Sequence, residues 1–288
     1  MKASVALRLG RVSNLPTVWT NVVAALALSS SLGGWPALWL ALSMSLYYLG
    51  GMYLNDAFDR HIDAVERPQR PIPSGQVSAG LVFFLGFSWL LLGFVALLRE
   101  AERQSTPLSF AALSGVALLA CIVGYDLYHK QNPLSPLLMG LCRVLVYVSA
   151  ALAMQPQLSR GLLLGAGALL CHLIGLSYAA KQEAYNRLTR VWPLGFLAAP
   201  ALYGAALALA QPLVWPFLAA FVLWVLAALR FLRPGPRRSV PQAIVRLIAA
   251  IALLDAVFIA ATGAWTWALA AAGLAPLTRL FQRYIPGT

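Results

Sequence analysis

Residues 55–75 read NDAFDRHIDAVERPQRPIPSG, and they follow a charge-free run from Val12 to Leu54. Asp56, Asp59, Asp63 and Glu66 crowd this stretch beside Arg60, His61, Arg67 and Arg70. What so many charges do there depends on the solvent around the rest of the chain. Of 288 residues, 60% are apolar and 10% charged, where a soluble domain carries roughly a quarter charged residues. A globular core cannot enclose that much apolar surface, so lipid must cover it. A helix crosses the hydrocarbon with about 20 mostly apolar residues, because every backbone amide has to be satisfied internally.

Charge clusters and Pro or Gly breaks divide the chain into apolar segments near 16–32, 36–58, 79–98, 108–125, 134–153, 160–181, 192–210, 213–232 and 242–272. An all-α integral membrane protein of about nine spans is expected, forming one domain over 1–288 with a short carboxyl-terminal tail at 276–288. Gln211-Pro212 supplies the break inside the long apolar stretch from Val191 to Leu229. Gly263 or Gly273 can end the ninth segment early and leave Arg279 to Tyr284 at the interface.

Lys and Arg are retained on the cytoplasmic side of a membrane. Of the 21, 15 fall at the amino terminus and in the 2–3, 4–5, 6–7 and 8–9 connections with their flanking helix ends. Arg99, Arg103, Arg160, Arg279 and Arg283 are assigned to the other side. The expectation is a multi-pass protein of the inner (cytoplasmic) membrane with its amino terminus cytoplasmic and its carboxyl terminus outside. Topology thus accounts for much of the +12 charge, and no nucleic-acid partner is implied, since that would want a basic, aromatic-interleaved face on a soluble module. Thr17, Thr20 and Asn21 interrupt the first apolar segment, which argues for a span there and against a cleaved leader. Cys121, Cys142 and Cys171 lie within predicted helices and read as packing residues.

Asn55, Asp59 and Asp63 stand at i, i+4 and i+8, so on one helix their oxygens share a face, with Asp56 at its edge. Carboxylates stacked in this way repel unless a cation lies between them, and hard oxygen donors suit Mg2+. A solvated helix end bridged by Arg60 and His61 is the plain alternative. The Arg67, Arg70 and Pro71-Ile72-Pro73-Ser74-Gly75 loop directly follows. Magnesium binds through one or two carboxylates plus substrate phosphates, and Arg forks onto phosphate. Together these features describe a diphosphate site with an apolar cavity behind it.

The pattern N55-D56-x-x-D59-x-x-x-D63, then E66-R67-P68-x-R70-P71-I72-P73-S74-G75, resembles the first aspartate motif and loop of the UbiA superfamily of intramembrane prenyltransferases. The likeness extends to R11-V-S-N14-L-P16-T and, more loosely, over the whole chain. It implies a horseshoe of nine helices around a central cavity open to the cytoplasmic side, where aspartates hold Mg2+ against an isoprenyl diphosphate and an acceptor is prenylated. It places Asn55, Asp56, Asp59 and Asp63 at the metal, and Arg11, Asn14, Arg67, Arg70, Lys130 and Lys181 around the diphosphate. The family's Tyr-x-x-x-Lys element corresponds to Y125-D126-L-Y128-H129-K130, with Tyr125 or Tyr128 and Lys130 in the catalytic role.

The second aspartate motif departs from the family: S177-Y178-A-A-K181-Q182-E183-A-Y185-N186-R187 leaves Glu183 as its anionic metal ligand. With G140-L-C-R143-V-L-V-Y147 and L253-L-D255-A, the chain looks more like the EboC-type branch of UbiA-like proteins. A lipid- or metabolite-binding carrier that has lost turnover is therefore the second reading. Arg143 and Asp255 lie deep in predicted spans, where a charge calls for a partner or a function. They are read either as a structural pair or with Arg143 as a catalytic residue in the cavity wall near phosphate or acceptor. His172 reads as a packing residue, and His61 and His129 as rim residues whose pKa suits a proton shuttle or plain surface residence.

Overall fold

The computed structural model describes residues 1–130, 132–181, 191–236 and 238–287, and among them there is helix but no strand. A short amphipathic helix α1 (Ala3–Leu9) buries Val5 and Leu9, and α2 (Leu15–Leu28) begins the bundle. Then follow α3 (Gly34–Phe58), α4 (Arg60–Glu66), α5 (Ala79–Arg103), α6 (Leu108–Tyr128), α7 (Ser135–Met154) and α8 (Arg160–Ala180). The chain ends with α9 (Ala198–Ala210), α10 (Trp215–Leu229), α11 (Val240–Ala261) and α12 (Trp265–Phe281). Eight segments are long and apolar enough to cross a membrane, and Val12–Leu28 is a shorter apolar helix. Their outer faces carry Phe84, Leu91, Leu113, Leu202 and Leu223, all exposed, as a lipid-facing surface requires.

The segment read as a ninth span over 242–272 is two helices. Gly263 adopts φ +83°, a backbone conformation open to glycine at little cost, and there the chain reverses so that α12 packs along α11 and α2. The expected tail at 276–288 begins inside α12, whose Ala275 and Thr278 are buried. Beyond it, Gln282 Nε2 donates to Asn14 Oδ1 at 2.9 Å and Asn14 Nδ2 donates to the Gly287 carbonyl at 2.8 Å. The last described residue therefore lies at the same end of the bundle as the amino terminus. The expectation of opposite ends is corrected, and Arg279 and Arg283 join the arginine-rich end.

α11 is the axis of the bundle, 83% of its apolar window being enclosed. His172 of α8 contacts the Leu247 carbonyl of α11 at 2.9 Å, the packing role expected of it. On the other flank, α3 and α5 meet where side chains are missing: a Cβ on Gly50 would come within 2.8 Å of the Gly86 carbonyl oxygen. Ser43 Oγ also donates to the Gly93 carbonyl at 2.7 Å across the same seam. This tight flank fixes the end of α3, and the acidic stretch is carried there.

Candidate functional site

α3 stops at Phe58 and α4 restarts at Arg60, with Asp59 between them in helical conformation. The i to i+4 bonding continues through the junction, Asp63 N–H to the Asp59 carbonyl at 2.8 Å. Even so, the four acidic-motif side chains do not share one environment. Asn55 and Asp59 line an open cavity of about 400 Å3 together with Arg11, Arg70, Tyr125 and Lys130. Asp56 and Asp63 lie behind that wall. Arg70 Nη1 donates to Asp63 Oδ2 at 2.7 Å and to Asp56 Oδ1 at 3.2 Å, and Arg11 Nη2 donates to Asp56 Oδ1 at 3.0 Å. The loop that brings Arg70 back is a chain of tight turns, Ser74 N–H to the Arg70 carbonyl and Gly75 N–H to that of Ile72, with Gly75 at φ +72°.

Arg11 reaches the site from the junction of α1 and α2 through φ 40°, a left-handed conformation unusual for a residue with a Cβ and a mark of functional sites. Its guanidinium also donates to Asn55 Oδ1 at 3.2 Å. Burial is the largest single influence and works against its charge, but Asp56, Tyr48, Tyr125 and Asp126 together overcome it and its pKa is raised. Asp59 faces Lys130 Nζ at 3.3 Å and His129 Nε2 at 3.4 Å. Burial pushes the Asp59 carboxyl up, and the His129 and Lys130 contacts overcome that and hold it below the ordinary value.

The structure distinguishes the two candidate tyrosines. Tyr125 lines the cavity and stacks on His129, ring centroids 4.8 Å apart, whereas Tyr128 points outward and is 68% exposed. Asn14, Arg67, Lys181 and Arg143 also line the cavity, while His61 is exposed. Lys181 Nζ donates to the Asn132 carbonyl at 2.7 Å. Glu183 lies outside the described residues. Asp126, quoted in the tyrosine element but given no role, is part of the site: its Oδ1 accepts from Asn55 Nδ2 at 3.1 Å, and its Oδ2 is buried without a hydrogen-bond partner. The sequence signal for it was a carboxylate one position past the end of the 108–125 apolar segment.

Behind the polar mouth is an apolar pocket of about 90 Å3, lined by residues such as Met44, Tyr47, Leu118, Ile122 and Val146. Tyr48, Met52, Tyr125, Met139 and Arg143 line both spaces, which therefore adjoin. Arg143 and Asp255 are not a direct pair. Arg143 Nη1 donates to Asn21 Oδ1 at 2.8 Å, and Asn21 Nδ2 donates to Asp255 Oδ2 at 2.8 Å, so the amide bridges them. Cys121 and Cys142, read as packing residues, place their sulfurs 3.5 Å apart.

No group of three His, Cys, Asp or Glu side chains is assembled for a metal among the described residues. The donors nevertheless fit a hard divalent cation. Asn55 and Asp59 present oxygens to the cavity, and buried carboxylate oxygens of Asp63 and Asp126 are left without partners. Mg2+ favours such an all-oxygen set.

The fold and its cavity define a helical membrane bundle with a basic, carboxylate-containing mouth beside an apolar pocket. The UbiA prenyltransferase family model matches residues 13–234, and the chain belongs to that family. It is 30% identical to the digeranylgeranylglyceryl phosphate synthase of Methanopyrus kandleri over 226 residues, 75% of this chain and 73% of that protein. A shorter stretch of 82 residues, 27% of this chain and 22% of the other, is 40% identical to the chloroplastic chlorophyll synthase of Oryza sativa subsp. japonica. The fold is similar to that of a UbiA homologue from Archaeoglobus fulgidus solved with GPP and Mg2+, with a TM-score of 0.63 at 14% identity, covering 93% of this chain and 99% of that one.

Proposed function

We propose that this protein transfers a prenyl group from an isoprenyl diphosphate to an acceptor within the membrane, with Mg2+ held at the mouth of the cavity. The observation that carries this reading is that the polar mouth adjoins the apolar pocket across shared wall residues, which fits a ligand charged at one end and aliphatic along the rest. Asn55 and Asp59, with Asp126 beside them, are the residues to hold the metal from the cavity side; Asp56 and Asp63 complete the set from behind, and Glu183 is the remaining candidate. Bound there, magnesium supplies charge neutralisation to the diphosphate as leaving group.

Arg11, Arg70 and Lys130 orient the diphosphate as cationic donors. Arg67 and Lys181 extend that cationic surface to the rim, and Asn14 adds a neutral donor. Tyr125 flanks the passage where the first prenyl carbon sits, and the apolar pocket excludes water from the chain. The C–O bond to diphosphate breaks with its electron pair on oxygen, an acceptor lone pair closes on the carbon, and the acceptor proton is released.

Pairing of Asp56 and Asp63 with Arg11 and Arg70 favours a second reading, a diphosphate-binding protein without turnover. Purified protein in nanodiscs with Mg2+ and radiolabelled geranyl, farnesyl or longer diphosphates decides between them. Diphosphate release with added acceptors that Asp59→Ala abolishes supports transfer. Tight binding without release supports the carrier, and no binding refutes both.

A further inference from the structure

α12 and the residues after it lie beyond residues 13–234, which the family model matches, and they have no part in the transfer reading. α12 packs along α11 and α2, which returns the chain to the level of Asn14, the residue that precedes α2. There the segment 282–287 grips the Asn14 amide at both ends. Gln282 Nε2 donates to Asn14 Oδ1 at 2.9 Å, and Asn14 Nδ2 donates to the Gly287 carbonyl at 2.8 Å. Gln282 is itself held, its Oε1 accepting from Arg279 Nη1 at 2.8 Å.

Gly287 is buried and lines the polar cavity together with Arg11 and Asn14. The contact depends on its having no side chain: a Cβ there would stand 2.8 Å from Asn14 Oδ1 and 3.2 Å from Gln282 Nε2. The backbone bonds of the segment are local. Gln282, Arg283, Tyr284 and Ile285 direct their N–H groups to the carbonyls of Thr278, Leu280 and Phe281 in the preceding turns, and Arg283, Tyr284 and Pro286 are exposed. What fastens the segment to α2 is the pair of bonds at Asn14, both between uncharged groups. Two such bonds favour a docked segment over a free one by about five- to hundredfold, which holds it closed and still leaves it reversible.

On the transfer reading, Asn14 is a neutral donor to the diphosphate. A carbonyl oxygen and a phosphate oxygen want the same N–H, and their negative charges repel, so Gly287 and the diphosphate exclude each other at this amide.

Resting on that reading, we propose that the segment 282–287 is a latch on the rim of the cavity, closed on Asn14 in the ligand-free protein and displaced when the diphosphate end of the ligand enters. The closed latch lowers the apparent affinity in proportion to the fraction left open, and the ligand in turn drives the latch open.

Gly287→Val in the full-length protein in nanodiscs tests this, because its side chain leaves the docked position no room. Trypsin cleavage between Arg283 and Tyr284, followed by mass spectrometry, reports the open fraction when opening is fast relative to cleavage. Equilibrium binding of the unreactive geranyl thiolodiphosphate with Mg2+ reports the affinity. Cleavage rate and affinity are both expected to rise by the same factor, about five- to hundredfold, since one open fraction sets both. In the wild type, thiolodiphosphate is expected to speed the cleavage. Gln282→Ala removes one of the two bonds and is expected to raise both readouts by about the square root of that factor; it carries the comparison if Gly287→Val lowers the unfolding midpoint. Unchanged cleavage in both variants overturns the docking. Faster cleavage with unchanged affinity overturns the competition at Asn14, and weaker binding in the variants overturns the latch by making the segment part of the binding site. Failure of the wild type and both variants alike to bind thiolodiphosphate refutes the transfer reading, and the latch falls with it.

Discussion

Replacing Arg70 by Gln tests the electrostatics of the acidic stretch most directly. Asp63 is 1% exposed, its Oδ2 accepts from Arg70 at 2.7 Å, and its Oδ1 has no hydrogen-bond partner. Without the guanidinium, Asp63 is a buried carboxylate with neither oxygen compensated. Removing one partner of a buried pair costs about 3–5 kcal/mol; because Asp56 keeps Arg11, the lower end applies. At about 2–4 °C per kcal/mol for a chain of this size, Arg70→Gln lowers the midpoint of thermal unfolding by about 6–12 °C. The assay is intrinsic fluorescence of the purified protein in nanodiscs at neutral pH with divalent ions chelated. Asp63→Asn alone removes the charge that Arg70 balances, and Asp63→Asn combined with Arg70→Gln recovers most of the lost stability. A midpoint unchanged in Arg70→Gln, or a double variant as unstable as the single one, refutes the buried-pair account and with it the placement of Asp63 behind the cavity wall.

Gly50→Ala forces a Cβ to 2.8 Å from both the Gly86 carbonyl oxygen and Leu90. Because backbone cannot step aside, overpacking of about 1–3 kcal/mol is expected, read as a lower unfolding midpoint, whereas Gly124→Ala meets nothing within 4 Å and serves as the control. Asp59 is held below its ordinary pKa by His129 and Lys130 against the opposing effect of burial. Its contribution to stability is therefore complete above the unfolded carboxylate value of about 3.9 and is lost as pH falls through the lower folded value, a decline that Asp59→Asn should flatten in a series of unfolding midpoints.

The membrane class and most helix positions were legible because lipid imposes a simple length and polarity rule on each span. The α11–α12 reversal was harder, since thirty apolar residues look alike whether they continue or fold back; Gly263 was one of two glycines flagged, and its φ of +83° settles which one turns the chain. The acidic motif was legible as a sequence pattern but not as a common face. Helical spacing puts Asn55, Asp59 and Asp63 in line, yet the passage from α3 into α4 and the return of Arg70 divide them between cavity and interior. Long-range partners left no local trace. Asp126 meets Asn55 across 71 positions, and Asn21 joins Arg143 to Asp255 across 122 and 234. Tertiary packing creates these contacts, and no periodicity encodes them.

The charge balance of the cavity bears on which ligand it can take, whatever cation accompanies it. Arg11, Arg67, Arg70, Lys130, Arg143 and Lys181 line it against the carboxylates of Asp59 and Glu66. Asp56 and Asp63 offset Arg11 and Arg70 from behind, so the mouth tends to neutrality while the deeper cation is answered only through an amide. A low-dielectric wall weakens screening of whatever charge remains, and Arg143 stands where the polar mouth gives way to the apolar pocket. On the transfer reading, a ligand for this cavity carries its anionic end at the mouth and its apolar part toward the pocket.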